Sequence, residues 1–266
     1  MTGRIPARVA RFAASALALT AVSAVAAASA GATTVQYSNM PKPFPGNVPS
    51  VGFEATSAAE LGGQVQFAGA VTNPSITVGM SSWSCQSGGA TDGSCVSASG
   101  STYNWPITLN VYEVGPGNTV GAKIVTLTQT FAIPFRPSAD AVHCAGNGGW
   151  YKMKTCYHGK LFKITFGKLG STKAPLTLPA DAIISVAYNT TDHGYAPTGV
   201  AGPEDSLNVG LGGLASVGSD PLTESIYWNT TFGGFYCDSG AGGTGTFRLD
   251  SGCWTNEQPL ILVKGQ

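Results

Sequence analysis

Charge is scarce in this chain. Asp, Glu, Lys and Arg make up 11% of its 266 residues, as 14 basic and 14 acidic side chains, with three histidines besides. That balance excludes the broad basic surface on which general nucleic-acid binding depends. Helical periodicity is missing too: apart from the N-terminal leader and one turn around Ser57-Ala58-Ala59-Glu60, no window repeats its apolar residues every 3.6 positions. After the leader no apolar run reaches the roughly 18 residues of a membrane span, and Pro259 to Gln266 is too short for an anchor. No C-x-x-C pair, zinc knuckle, EF-hand loop or Gly-x-Ser-x-Gly elbow occurs. Thiol redox chemistry, a structural zinc, an EF-hand calcium site and an α/β-hydrolase site therefore have no motif to stand on. No cofactor and no metal is expected.

What is present begins with a leader. Arg4, Arg8 and Arg11 form a positive n-region, Phe12 to Ala27 is apolar and alanine-rich, and Ala28-Ser29-Ala30 offers small residues for cleavage. Residues 1–30 read as a signal peptide, and the protein as secreted and extracellular. The leader holds three of the 14 basic residues and no acid, so 11 basic residues face 14 acidic ones in the remainder of the chain. Six cysteines come as three close pairs, Cys85 with Cys95, Cys144 with Cys156 and Cys237 with Cys253. Six thiols allow 15 pairings; nearest-neighbour pairing closes three short loops, each worth on the order of 3 kcal/mol by chain entropy.

Pro41, Pro43, Pro45 and Pro49 crowd one stretch, so residues 31–50 are expected to form an extended, polyproline-like arm outside any central ladder. From Val51 the pattern alternates. Val65 and Phe67, then Ile76, Val78 and Met80, then Trp105, Ile107, Leu109 and Val111 each line one face of a strand. Val125, Leu127 and Phe131 oppose Thr126, Thr128 and Thr130, and Phe162, Ile164 and Phe166 oppose Lys163. Some ten short strands between Gly, Pro, Asn and Asp clusters predict one all-β domain over 51–266, an antiparallel β-sandwich of jelly-roll type with three loop disulfides.

The stretches Val51-Gly52-Phe53-Glu54-Ala55-Thr56, Val65-Gln66-Phe67-Ala68-Gly69, Val78-Gly79-Met80-Ser81-Ser82-Trp83 and Pro106-Ile107-Thr108-Leu109-Asn110-Val111-Tyr112 resemble a family of bacterial, actinobacterial-type secreted β-sandwiches without assigned activity. Ala187-Tyr188-Asn189-Thr190-Thr191 and Asp205-Ser206-Leu207-Asn208-Val209 extend the resemblance. It implies the fold and secretion, and carries over no catalytic residue. Where the family tends to have Phe-Gly-Asp this chain has Leu61-Gly62-Gly63, so no role for that acid transfers.

Three chemistries can be weighed on the residues. A serine-protease reading takes His143 as base, Asp192 as its orienter and Ser239 as nucleophile, since Ala-Val-His143-Cys and Cys-Asp-Ser239-Gly resemble trypsin-like fragments. The residue before Asp238 is Cys237 where an oxyanion-binding glycine is required, which weighs against it. Polysaccharide hydrolysis needs two facing carboxyls, and Glu54, Glu60, Glu113, Glu204, Asp205, Glu224 and Glu257 are formally available. Calcium would draw on Asp192, Glu204, Asp205, Asp238 and Asp250. The remaining reading is a non-catalytic binding or structural module at the cell surface, with a glycan or anionic cell-envelope polymer as partner. Its speculative site joins Asp192, His193, Tyr195 and Asp205 to Trp228, because Asn-Thr-Thr turns follow both Tyr188 and Trp228. Six lysines between Lys152 and Lys173 suit either an anionic polymer or the guarding of an edge strand.

Overall fold

A computed structural model describes Met1, residues 32–189 and residues 207–266. The leader, and with it the expected cleavage site, lies outside the described residues. In chain order the strands are β1 (Thr34–Ser38), β2 (Ser50–Gly52), β3 (Ala58–Gln66), β4 (Val71–Thr72), β5 (Ser75–Ser82), β6 (Thr102–Val114), β7 (Val120–Pro134), β8 (Trp150–Lys152) and β9 (Thr155–Tyr157). They continue with β10 (Lys160–Phe166), β11 (Thr177–Leu178), β12 (Asp181–Ala187), β13 (Leu207–Gly212), β14 (Ser225–Thr230), β15 (Arg248–Ser251), β16 (Gln258–Pro259) and β17 (Ile261–Gly265). One helical turn, α1 (Phe53–Thr56), interrupts them.

All pairings are antiparallel and build two main sheets. The six-stranded sheet has the order β15-β14-β3-β12-β6-β7. The seven-stranded sheet runs β1-β17-β5-β13-β16, with β2 on β13 and β10 on β5. Because β17 and β13 share one side of β5, β10 takes the other and forms an edge. The alternation expected from sequence holds for Ile107 and Leu109 of one sheet and Ile76, Val78, Met80 and Ile164 of the other; with Leu61, Ile184, Val186, Ile226, Val209 and Val263 they form one buried core. Phe131 of β7 meets Phe166 of β10 edge-on at 5.0 Å, which joins the sheets along one side. Burying side chains of this size stabilises by about 1.5–3 kcal/mol each, so the sandwich core dominates the fold.

Residues 34–38, ahead of the prolines, pair with β17 as the outermost strand of their sheet. The proline-rich stretch then lies over that sheet's outer face, where Met40, Phe44 and Val48 pack with Leu161, Leu260 and Leu262. Leu260 is accommodated by a glycine, since a Cβ on Gly79 would come within 2.7 Å of it. On β10, Ile164 and Phe166 are buried and Lys163 points outward, its ammonium 4.3 Å from the centre of the Phe44 ring. Lysine at an edge strand is what the guarding reading requires.

The three cysteine pairs are disulfides: Cys85–Cys95, Cys144–Cys156 and Cys237–Cys253, with sequence separations of 10, 12 and 16. Two of these loops are tied together by Arg136, which is fully buried. Its Nη1 donates to the carbonyl of Ala90 in the first loop, its Nη2 to Gly148 in the second at 3.1 Å, and its Nε to Pro137 at 3.0 Å. The third loop is organised by Asp250, also buried. Its Oδ2 accepts from the indole N–H groups of Trp228 (3.0 Å) and Trp254 (2.9 Å), and its Oδ1 from the backbone N–H of Cys237 (3.0 Å). Among the described residues no helix is long and apolar enough to cross a membrane.

Candidate functional site

Asp192, His193, Tyr195 and Asp205, with Glu204, lie outside the described residues. Trp228 does not supply an open aromatic face. It is 1% exposed, gives its N–H to Asp250, and is packed edge-on by Tyr236 (5.5 Å) and Trp254 (5.2 Å). The indole that was expected at a turn surface is thus a core residue. The Asn-Thr-Thr turn after it is structural as well: Asn229 Oδ1 accepts the backbone N–H groups of Ala59 and Glu60, both at 2.8 Å, and Thr230 is buried. Trp150 and Trp254 are likewise buried beside their cysteines, and Trp83 packs on the first disulfide.

His143 lies just before the second disulfide loop and Ser239 inside the third, and no hydrogen bond among the described residues joins them. The His143 ring bonds Asp140 at 2.9 Å and stacks on Tyr151 at 4.3 Å. Ser239 sits at positive φ inside a turn whose Asp238 pairs with Arg248 at 2.9 Å. Asp238 also accepts from the N–H groups of Gly240 and Gly242. Asp250 is within 4.8 Å of the Cys237 and Cys253 sulfurs, but those are bonded to each other and its oxygens take N–H donors. Asp238 and Asp250 are therefore spent on internal contacts.

Two clefts bear on the hydrolase reading. One of about 550 Å³ is bounded by Met40, Val48, Pro49, Leu211 and Leu214 and contains a single carboxylate, Glu257. The other, about 420 Å³, lies between the first two disulfide loops and contains Asp92 and Asp140. A pair working as acid and base needs one carboxyl pushed up and one held down. Here both are held below the usual carboxylate range, Asp92 by hydrogen bonds from Ser94 and Asp140 by the backbone N–H and ring of His143. Two ionised carboxylates leave no proton donor at neutral pH.

The most organised polar arrangement lies on the outer face of the six-stranded sheet. Register places Asn229, Glu60, Ala187, Thr108 and Thr128 in one row across β14, β3, β12, β6 and β7. Ser185, Asn110 and Thr126 form the adjoining row. Glu60 Oε1 accepts three side-chain donors: Ser185 Oγ at 2.6 Å, Asn110 Nδ2 at 2.8 Å and the Tyr112 hydroxyl at 2.9 Å. Asn110 Oδ1 in turn accepts from Thr126 at 2.8 Å, and the hydroxyls of Thr108 and Thr128 meet at 2.8 Å. Asn110 and Ser185 are buried and hold the carboxylate from beneath, while Thr126 and Thr128 are exposed and Glu60 and Thr108 partly so. All three bonds to Glu60 fall on Oε1, and among the described residues none reaches Oε2. A carboxylate oxygen fixed in place beside exposed hydroxyls is a ready acceptor for hydroxyl or ammonium donors.

Sequence reasoning placed Glu60 among possible surface acids and missed its partners. Their common register on three strands is the signal: Glu60, Ser185 and Asn110 are polar residues at outward positions of otherwise apolar strands. Phe232 and Phe235 were also passed over. They are 59% and 40% exposed, pack edge-on at 5.1 Å, and follow the Asn229 turn at the rim of the third disulfide loop. Compared with known protein families, curated proteins and solved structures, the chain shows no match.

Proposed function

We propose that this protein is a secreted, non-catalytic binding module whose ligand is a glycan or cell-envelope polymer laid across the outer face of the six-stranded sheet. The observation that carries this reading is the hydrogen-bonded stripe from Asn229 through Glu60 and Asn110 to Thr126, with the bonded Thr108 and Thr128 hydroxyls in the row of Glu60. Sugar hydroxyls both donate and accept, and a stripe offering a fixed carboxylate, amides and hydroxyls meets both demands along a line rather than at a point. The exposed Phe232 and Phe235 supply flat apolar surface of the kind sugar rings stack on. Secretion is supported by the leader-like N-terminus and by three disulfides, which persist in oxidising surroundings. The resemblance to secreted bacterial β-sandwiches points the same way.

The test is retention on purified cell wall and on a set of insoluble polysaccharides, with reducing sugar assayed in the supernatant. Wild-type protein is expected to be retained on at least one polymer and to release no sugar. Glu60→Gln keeps an oxygen for Ser185, Asn110 and Tyr112 but removes the charge, and should weaken retention about tenfold, the value of one charge-assisted hydrogen bond. Release of sugar would return the hydrolase reading to first place. Failure to bind every polymer would leave a structural or protein-partner role.

A further inference from the structure

The edges of the sheets are not treated alike. β15 has four residues and β1 five. β10 carries Lys160 and Lys163, the latter seated on Phe44. Short strands and lysines are the usual means of keeping an edge from pairing with another molecule. β7 is long, at 15 residues, and its one lysine, Lys123, sits near its start over the Tyr112 ring; among the described residues β7 pairs only with β6. From Ile124 to Ile133 it contains no Lys, Arg, Asp, Glu, Pro or Gly, and residues 126–130 are all exposed. Leu127 shares the core-side face with its partner Leu109, yet Leu109 is buried and Leu127 is 36% exposed. The strand therefore offers an open row of backbone groups together with an uncovered apolar side chain.

Its sequence also says what fits there. Val125-Thr126-Leu127-Thr128-Gln129-Thr130-Phe131 is close to a palindrome about Thr128. We propose that two copies of this chain pair antiparallel along β7, across a two-fold axis through Thr128, so that two six-stranded sheets become one of twelve. In that register Val125 faces Phe131 of the second copy, Thr126 faces Thr130, Leu127 faces Gln129 and Thr128 faces its own counterpart. On one face Val125 meets Phe131 and Leu127 packs on the Gln129 stem, and on the other threonines meet, cross-strand pairs of the kind that stabilise sheets. A two-fold axis makes the contact self-complementary and closes it at two copies.

The pairing has a consequence that rests on the polymer-binding reading, although the pairing itself does not. Thr126 and Thr128 end the polar stripe at the β7 edge, so the second copy continues it from the same threonines. At about 4.8 Å per strand the stripe would lengthen from about 19 Å to about 43 Å, enough to engage a longer stretch of one polymer with both halves.

An interface built mainly on one strand pair is small, so dimers are expected on the order of 100 µM, to be followed by sedimentation equilibrium up to several hundred micromolar. Leu127→Lys, at an exposed position, should leave a folded monomer by circular dichroism and shift the dissociation constant at least tenfold. Because all six cysteines are in disulfides, Thr128→Cys adds the one free thiol. Mild oxidation should cross-link it to its symmetry mate at least ten times faster than Thr126→Cys, which faces residue 130 instead. A monomer at every concentration, or equal cross-linking at 126 and 128, would overturn the proposal. If Leu127→Lys is monomeric and still retained on polymer, more weakly than wild type, both readings stand. If it is monomeric and no form is retained, only the polymer reading falls.

Discussion

Arg136→Met is expected to lower the unfolding free energy by about 3–5 kcal/mol, measured by urea titration with the disulfides intact. Met fills part of the volume and spares the cost of burying a guanidinium, which works in favour of the variant. Against it, the carbonyls of Ala90, Gly148 and Pro137 lose a donor together; Gly148 is buried, Pro137 part-buried, and the His158 ring still lies 3.2 Å from the Ala90 carbonyl. A carbonyl deprived of a buried donor costs about 1–3 kcal/mol, and with three affected the loss outweighs the relief. Arg136→Lys should fall between, because one ammonium on a shorter reach cannot serve carbonyls in two loops. The two disulfide loops that contain Ala90 and Gly148 should also become the first sites of limited proteolysis. A loss below about 1 kcal/mol for Arg136→Met would mean that the loops hold each other without the arginine.

Asp250→Leu comes next in size, at about 3–5 kcal/mol, or roughly 10 °C in melting temperature for a domain of this length. It strands three donors: the buried indoles of Trp228 and Trp254 and the part-buried Cys237 backbone N–H. Asp250→Asn keeps an oxygen for both indoles and turns an amide N–H toward the Cys237 N–H, two donors facing each other, so about half the loss is expected. Tryptophan fluorescence separates this account from simple loss of packing. With the carboxylate gone and the loop opened, Trp228 and Trp254 should report a wetter environment by a red shift at temperatures where the sheets are still folded. Unchanged emission together with unchanged stability would remove Asp250 from its place as the organiser of that loop.

Both residues show where sequence reading stops. Alternation named the inward faces of β5, β6 and β10, because period-two apolarity is a property of consecutive residues. It also placed Leu127 inward, which is right for the strand and wrong for its exposure, since an edge strand can overhang the opposing sheet. Arg136, between Phe135 and Pro137, carries no local sign that it will be buried; its acceptors come from loops 46 residues before it and 12 after. Asp250 was visible only as a loop acid, and Trp228 only as an aromatic before a turn, because their bond to each other spans two strands. Nearest-neighbour cysteine pairing was legible because close spacing needs no long-range knowledge. The stripe around Glu60 lay between these cases: each polar residue could be seen, and the register that gathers them could not.

The locality of the disulfides also governs how the sandwich comes together. They shorten loops of 10, 12 and 16 residues, whereas β1 pairs with β17, and β2 with β13, across most of the chain. Loop-closure entropy for those pairings is therefore met in full whether or not the thiols are oxidised. The long β6–β7 hairpin, with only a short turn between its strands, closes at far smaller cost than any other extended pairing in its sheet. Folding is placed by this topology in the slow, non-local regime, milliseconds to seconds, with oxidation able to trail the sheets rather than lead them.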